Sequence, residues 1–244
     1  MTMLKGRLAY HGNIVPITVD EGRWVDASGA EVPPDEARIL PPAIPSKIVC
    51  VGRNYARHAE ELGNPVPERP LLFLKPPSAV TTHESPIRLP PDSRRVEYEG
   101  EIAVVIGKTC RRLSDEENPM AAVAGFTALN DITARDLQRL DVQFTRGKSF
   151  DTFCPFGPWI EEDADWRDLT VETHLNGELK QRGSAKDMIF PIPDLIRYIA
   201  RIMTLYPGDL IATGTPEGVG PVKEGDRVAV TVSGVTLANP VEGE

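Results

Sequence analysis

The sequence has only three cysteines, Cys50, Cys110 and Cys154, odd in number, far apart and without a CxxC pair. A disulfide framework and a zinc knuckle are therefore unsupported, and a reducing cytoplasm is the expected setting. Long apolar runs are missing too. Met1 to Gly12 lacks the apolar stretch and small-residue cleavage site of a secretory leader, and no run elsewhere has the length of a bilayer crossing. A soluble chain with no membrane partner is expected. Positive charge is in deficit: 27 Lys and Arg face 36 Asp and Glu, for a net charge of -9, and the acidic residues are scattered. Such a balance disfavours a grip on nucleic acid or an anionic membrane. There is no GxGxxG after a strand, no GxxxxGK[ST] and no GxSxG, so dinucleotide binding, P-loop chemistry and a serine-hydrolase route all lack their motif. No internal repeat is visible.

What is present is frequent punctuation. The 23 prolines and 20 glycines are spread along 244 residues, which suits many tight turns rather than a disordered tract. Residues 1–45 read as a small N-terminal β appendage, with strand-like Leu4 to Tyr10 and Asn13 to Val19 broken at His11-Gly12 and Glu21-Gly22. Residues 46–244 read as the main domain, large enough to enclose a small molecule. Its short apolar runs are Ile48 to Val51, Leu71 to Leu74, Ile102 to Ile106, Ala121 to Leu129, Leu210 to Thr213 and Arg227 to Val232. Helical spacing appears in Tyr55 to Leu62, after Asp131, and in Ile192 to Leu205 with Pro193 in the first turn. The expected class is β-rich α+β.

Glu97, Glu99 and Glu101 alternate at the head of the Ile102 strand, and alternation sends all three to one face. Carboxylates two apart on a strand stand roughly 6.5 Å apart along it and can converge on one cation. A solvated acidic edge explains the tripeptide as readily. Two features favour the cation: Gly100, which permits close backbone approach, and Asp131, costly to bury unpaired after a mostly apolar run. Oxygen ligands of this kind suit Mg2+, and Mn2+ also fits.

Several motifs resemble the fumarylacetoacetate hydrolase family, particularly its short members acting on acylpyruvates, oxaloacetate and related 2-oxo acids. They are Val51-Gly52-Arg53-Asn54-Tyr55 with His58 following, Phe73-Leu74-Lys75-Pro76, Glu99-Gly100-Glu101, Asn130-Asp131 through Arg135-Asp136, Lys148-Ser149-Phe150-Asp151, and Thr213-Gly214-Thr215-Pro216-Glu217-Gly218-Val219-Gly220. The resemblance implies a mixed β-sandwich roll, a homodimer, and a metal held by Glu99, Glu101 and Asp131. Residues 1–40 are similar to the N-terminal domain of some bacterial 2-hydroxyhepta-2,4-diene-1,7-dioate isomerases.

His58 and Glu61, three apart, fall on one helical face, where the carboxylate can orient the imidazole; an exposed HxxE pair has the same spacing. The resemblance makes them a catalytic base and its orienter on a lid, with Gly63-Asn64-Pro65 as hinge material. It also places a catalytic lysine at Lys148 and substrate contacts at Arg53, Tyr55 and Gln138. Lys75, after an apolar strand, is a candidate partner for a substrate carboxylate. The turn Thr213-Gly214-Thr215 is a candidate carboxylate nest, or an ordinary strand-ending turn. The cysteines are assigned to packing. The implied activity is metal-assisted enolate chemistry on a small 2-oxo acid. Acylpyruvate-type C–C hydrolysis or isomerisation of 2-hydroxyhepta-2,4-diene-1,7-dioate leads, followed by oxaloacetate decarboxylation or tautomerisation. A catalytically silent metal-binding member is the reading from another class.

Overall fold

The computed structural model describes residues 3–61, 63 and 65–244. The chain begins with β1 (Leu4–Tyr10), β2 (Asn13–Asp20), β3 (Arg23–Asp26) and β4 (Ala37–Leu40), where β1 pairs antiparallel with both β2 and β4. His11-Gly12 and Glu21-Gly22 close the hairpins with both residues at positive φ, the backbone that a two-residue turn between right-twisted strands requires. Leu8, Ile17 and Val32 form a small core of their own, and Trp24 packs edge-on against Trp159 from the body of the molecule.

The body runs through β5 (Ile48–Gly52), α1 (Ala56–Glu61), β6 (Leu71–Lys75), β7 (Val80–Thr81), β8 (Ile87–Leu89), β9 (Val96–Tyr98) and β10 (Gly100–Ile106). It continues with β11 (Val123–Asn130), β12 (Thr133–Ala134), α2 (Arg135–Leu140), α3 (Thr145–Lys148), β13 (Cys154–Glu161), β14 (Thr170–Leu175) and β15 (Glu178–Ser184). α4 (Ile192–Ile202), β16 (Leu210–Ala212), β17 (Gly220–Pro221), β18 (Arg227–Val232) and β19 (Val235–Gly243) complete it.

A mixed sheet of eleven strands runs β3-β2-β1-β13-β11-β10-β16-β5-β6, with β4 on β1 and β7 on β13. A five-stranded sheet, β15-β14-β18-β19-β8, packs across it, and β12-β9-β17 form a third small sheet. β10 is buried at every residue, and past Glu101 its sequence is a continuous apolar run from Ile102 to Ile106, whereas β18 alternates Val228, Val230 and Val232 inward. The expected β-rich α+β class and the layered roll are what the chain forms. α4 has Pro193 in its first turn and buries Leu195, Ile196 and Ile199, but it stops at Ile202, short of the expected Leu205. Leu62 and Asn64, part of the expected helix and hinge, lie outside the described residues.

Four long strands, β13, β14, β15 and β19, were not legible as apolar runs. β13 contains Pro155, Gly157 and Pro158, and β15 is almost entirely polar on its outer face. Proline is tolerated in β13 because its partners β7, β11 and β1 each cover only part of its length. Gly100 is fixed by packing: a Cβ there would lie 1.9 Å from Thr173 Oγ1 on β14. The two sheets meet at this point, directly between Glu99 and Glu101.

Candidate active site

Glu99 and Glu101 flank the start of β10, and Asp131 follows the end of β11, its antiparallel neighbour. The pairing register sets Glu101 opposite Leu129 and Gly100 opposite Asn130, which brings the three carboxylates to one end of the two strands. All three are buried, and one oxygen from each lies within 4.8 Å of the others. They form the floor of a cavity of about 270 Å3 whose wall includes His58, Arg53, Phe73, Arg135, Gln138, Arg139, Phe144, Lys148 and Thr215.

Cations from three segments hold two of the acids. Lys148 Nζ donates to Glu99 Oε2 at 2.8 Å and Asp131 Oδ2 at 2.6 Å, while Lys75 Nζ donates to Asp131 Oδ1 at 2.5 Å and the Ile132 carbonyl at 3.0 Å. Arg135 donates to Glu99 and, at 2.6 Å, to Glu97, which also accepts from Arg95. Glu101 differs. Its Oε2 accepts the Gly214 N–H at 2.8 Å, and among the described residues it has no cationic partner.

The electrostatics follow from that asymmetry. Burial pushes the Glu99 carboxyl up, but the charges of Lys148 and Arg135 outweigh it and hold Glu99 below the ordinary carboxylate range. Burial raises Glu101 well above that range, and the negative neighbours Asp131 and Glu99 add to the rise. For Lys148, burial alone would favour the neutral amine; Asp131 and Glu99 reverse this and keep the ammonium charged. The donor set is entirely carboxylate oxygen, and one member is a buried acid short of positive charge. This set fits a hard divalent cation and disfavours a thiolate-seeking one.

Above the floor, α1 presents His58, 5% exposed, with Nδ1 3.4 Å from Glu61 Oε2. The Glu61 carboxylate in turn accepts the Gly218 N–H at 3.1 and 3.2 Å, tying α1 to the turn after β16. That turn depends on Gly214, at φ +101°, because a Cβ there would meet Asn54 at 2.8 Å.

The sequence matches the fumarylacetoacetate hydrolase C-terminal family over residues 47–242. The chain belongs to this family. Its relatives include the oxaloacetate tautomerase YisK of Bacillus subtilis, 46% identical over 212 residues that cover 81% of this chain and 70% of that protein. The mitochondrial oxaloacetate tautomerase FAHD1 of Bos taurus is 45% identical over 194 residues, covering 77% of this chain and 87% of the other. Among solved structures, 5-carboxymethyl-2-hydroxymuconate delta-isomerase from Mycobacterium smegmatis superposes with a TM-score of 0.91 at 41% identity, covering 99% of each chain. Members of the fumarylacetoacetate hydrolase family are enzymes.

The expected site residues divide into three groups in this family member. Glu99, Glu101, Asp131, His58, Lys148, Arg53, Gln138 and Thr215 gather on one cavity, and Glu61 stands behind His58. Lys75 and Gly214 stand behind the floor, Lys75 spending its ammonium on Asp131 and Gly214 its amide on Glu101. Tyr55 and Thr213 do not line this cavity. Tyr55 is buried beside a second hollow with Arg57, Arg182 and Asp187, and the Thr213 hydroxyl donates to the Ile102 carbonyl. The candidate nest in the Thr213-Gly214-Thr215 turn does hold a carboxylate, but it is the protein's own Glu101; the Thr215 hydroxyl donates to the Gly100 carbonyl. Arg135 and Arg139 were missed as wall residues. The signal was their spacing, four apart on the short helix that follows Asp131 and β12.

Proposed function

We propose that this chain is a divalent-cation-dependent enzyme that moves protons on enolisable 2-oxo acids, with keto–enol tautomerisation of oxaloacetate as the leading reaction. The observation that carries the reading is His58, a buried imidazole backed by Glu61, on the same cavity as three converging carboxylates and a buried lysine. The names of the two tautomerases at 45–46% identity support the choice of substrate.

Glu99, Glu101 and Asp131 would hold the cation, Mg2+ by preference and Mn2+ as the alternative. When bound, the ion would supply Lewis-acid stabilisation of negative charge on the 2-oxo oxygen. The remaining work falls to the chain. Glu61 accepts from the Nδ1 side of His58, leaving Nε2 as the proton acceptor. His58 takes the proton from the carbon beside the carbonyl, the electron pair forms the new C=C bond, and His58 returns that proton to the oxygen to give the enol, while the Lys148 ammonium steadies the oxygen by a hydrogen bond and stays protonated. Reversal of the same transfers returns the keto form. Arg135 and Gln138, joined at 2.6 Å, orient the bound acid.

A second reading is isomerisation of a 2-hydroxy-dienedioate, supported by the name of the Mycobacterium smegmatis structure. It uses the same groups and delivers the proton further along a conjugated chain. Acylpyruvate hydrolysis would need His58 to activate water as well. The catalytically silent reading is disfavoured by His58, Glu61 and Lys148 all being present. Residues 46–244 are proposed as the catalytic domain, residues 1–45 as an appendage, and the working form as a cytoplasmic homodimer.

The test is decay of enol-oxaloacetate absorbance with purified protein, with Mg2+ or with chelator, alongside acetylpyruvate and fumarylpyruvate. Acceleration that disappears with chelator is expected. Cation binding without turnover of any of the three would overturn the proposal.

A further inference from the structure

Arg135 and Lys148 on the cavity wall are occupied by carboxylates of the protein itself. Arg53 and Arg139 line the same cavity, and among the described residues neither side chain has an acidic or carbonyl partner. The two are brought there by separate devices. Arg53, half-buried, follows β5 in left-handed backbone at φ +57°, a conformation uncommon for a residue with a Cβ and concentrated at functional sites. Arg139 is four residues beyond Arg135 on α2, so it shares that residue's face about 6 Å further along the helix axis. Arg135 reaches the acidic floor, and Arg139 stands one turn away from it.

The cavity also has an apolar part. Phe73 and Phe144 pack edge to face, with centroids 5.5 Å apart, and Val51 joins them on the wall. A chain of a few carbons can lie there without wetting. Charge completes the picture. Once a divalent cation is added, Arg135 and Lys148 more than balance the acidic triad, so Arg53 and Arg139 leave a surplus of positive charge that one carboxylate does not cancel.

We propose that Arg53 and Arg139 are a clamp for a second carboxylate, and that this enzyme takes 2-oxo diacids rather than 2-oxo acids with a neutral tail. One carboxylate and the 2-oxo oxygen lie at the floor, the carbon stem lies against Phe73 and Phe144, and the far carboxylate pairs with the two guanidinium groups. The assignment rests on the proposed function for its orientation and names Arg139 as a specificity residue of that site.

The experiment is equilibrium titration of the Mg2+-loaded protein with oxaloacetate and with pyruvate, which differ by a remote carboxylate. The wild type is expected to bind oxaloacetate at least about tenfold more tightly, the scale of one charge-assisted hydrogen bond. Arg139→Gln and Arg53→Gln each reduce oxaloacetate affinity by about tenfold, leave pyruvate affinity in place, and together erase the preference. Arg139→Lys restores part of it. No preference in the wild type, or equal weakening of both ligands by the substitutions, would overturn the clamp. Because binding is read without turnover, a preserved preference in a protein that tautomerises nothing would sink the proposed reaction and leave the clamp standing.

Discussion

The floor of the cavity and the helix above it are built on opposite terms. Glu99, Glu101 and Asp131 stand at the ends of long paired strands, and their carboxylates are gripped by Lys75, Arg135, Lys148 and the Gly214 amide. α1 has six residues, too few for a helix stable by itself, and it buries only His58 and Ala59. Glu61 on the Gly218 amide and the exposed Arg57–Glu217 pair tie it down. The carboxylates of the proposed cation site are held from several sides, whereas His58, the proposed proton carrier, rides on a short element with few buried contacts.

The strongest way to break that contrast is to cut both regions and ask whether metal binding tells them apart. Glu101→Ala is expected to abolish Mg2+ binding in calorimetry and to lower turnover by about a thousandfold or more. His58→Ala should lower turnover by about a hundredfold or more while Mg2+ still binds. Equal loss of metal in both variants would erase the division of labour.

Backbone substitutions sharpen the contrast in stability. Gly100→Ala drives a Cβ into Thr173 Oγ1 and should cost about 1–3 kcal/mol, read as a lower melting temperature. Gly63→Ala, just past α1, meets no atom of the described residues within 4 Å and carries a left-handed φ of +67°, so a smaller loss of about 1 kcal/mol is expected. Removing the Arg57 side chain is expected to change stability by less than about 1 kcal/mol, because that pair is solvated.

The floor also has a pH signature. Glu101 is raised above its ordinary value of 4.5 when folded, so the stability carried by its protonated form is complete below about that pH and is lost as pH rises through the folded value. Glu99 is lowered, and its contribution is present above 4.5 and lost as pH falls. Chelated protein should therefore melt earlier as pH rises from mildly acid to neutral, a trend that Mg2+ abolishes and Glu101→Gln flattens. A melting temperature indifferent to pH over that range would count against a buried, uncompensated Glu101.

Much of the floor was legible because strand periodicity is local: Glu99-Gly100-Glu101 ahead of an apolar run specifies two carboxylates on one face. That Asp131 joins them depends on the β10–β11 register, for which its burial cost was the sequence clue. The supporting layer was harder to read. Lys75 looks like a substrate ligand when seen only as a cation after a strand, yet β6 delivers it to the underside of Asp131. Tyr55 and Thr213 each stand two residues from a cavity residue, a spacing that would share one face of a strand, but left-handed backbone at Arg53 and at Gly214 breaks the alternation. Of the four strands that went unseen, β13 is interrupted by Pro155, Gly157 and Pro158 and finds its partners far away in sequence on β1, β7 and β11, whereas β15 is mostly polar and pairs with its sequence neighbour β14.

The junction at Trp159 constrains how this molecule can be shortened. Gly6 lies so close that a Cβ would come within 2.3 Å of the indole, and Leu4 and Lys5 pair with Glu161 and Ile160. Excising the first 45 residues would bare an aromatic ring and a row of open amides and carbonyls at the end of a large sheet, an invitation to self-association. A chain trimmed there needs a polar replacement for the tryptophan, so the leading segment and position 159 are inherited, or discarded, as a unit.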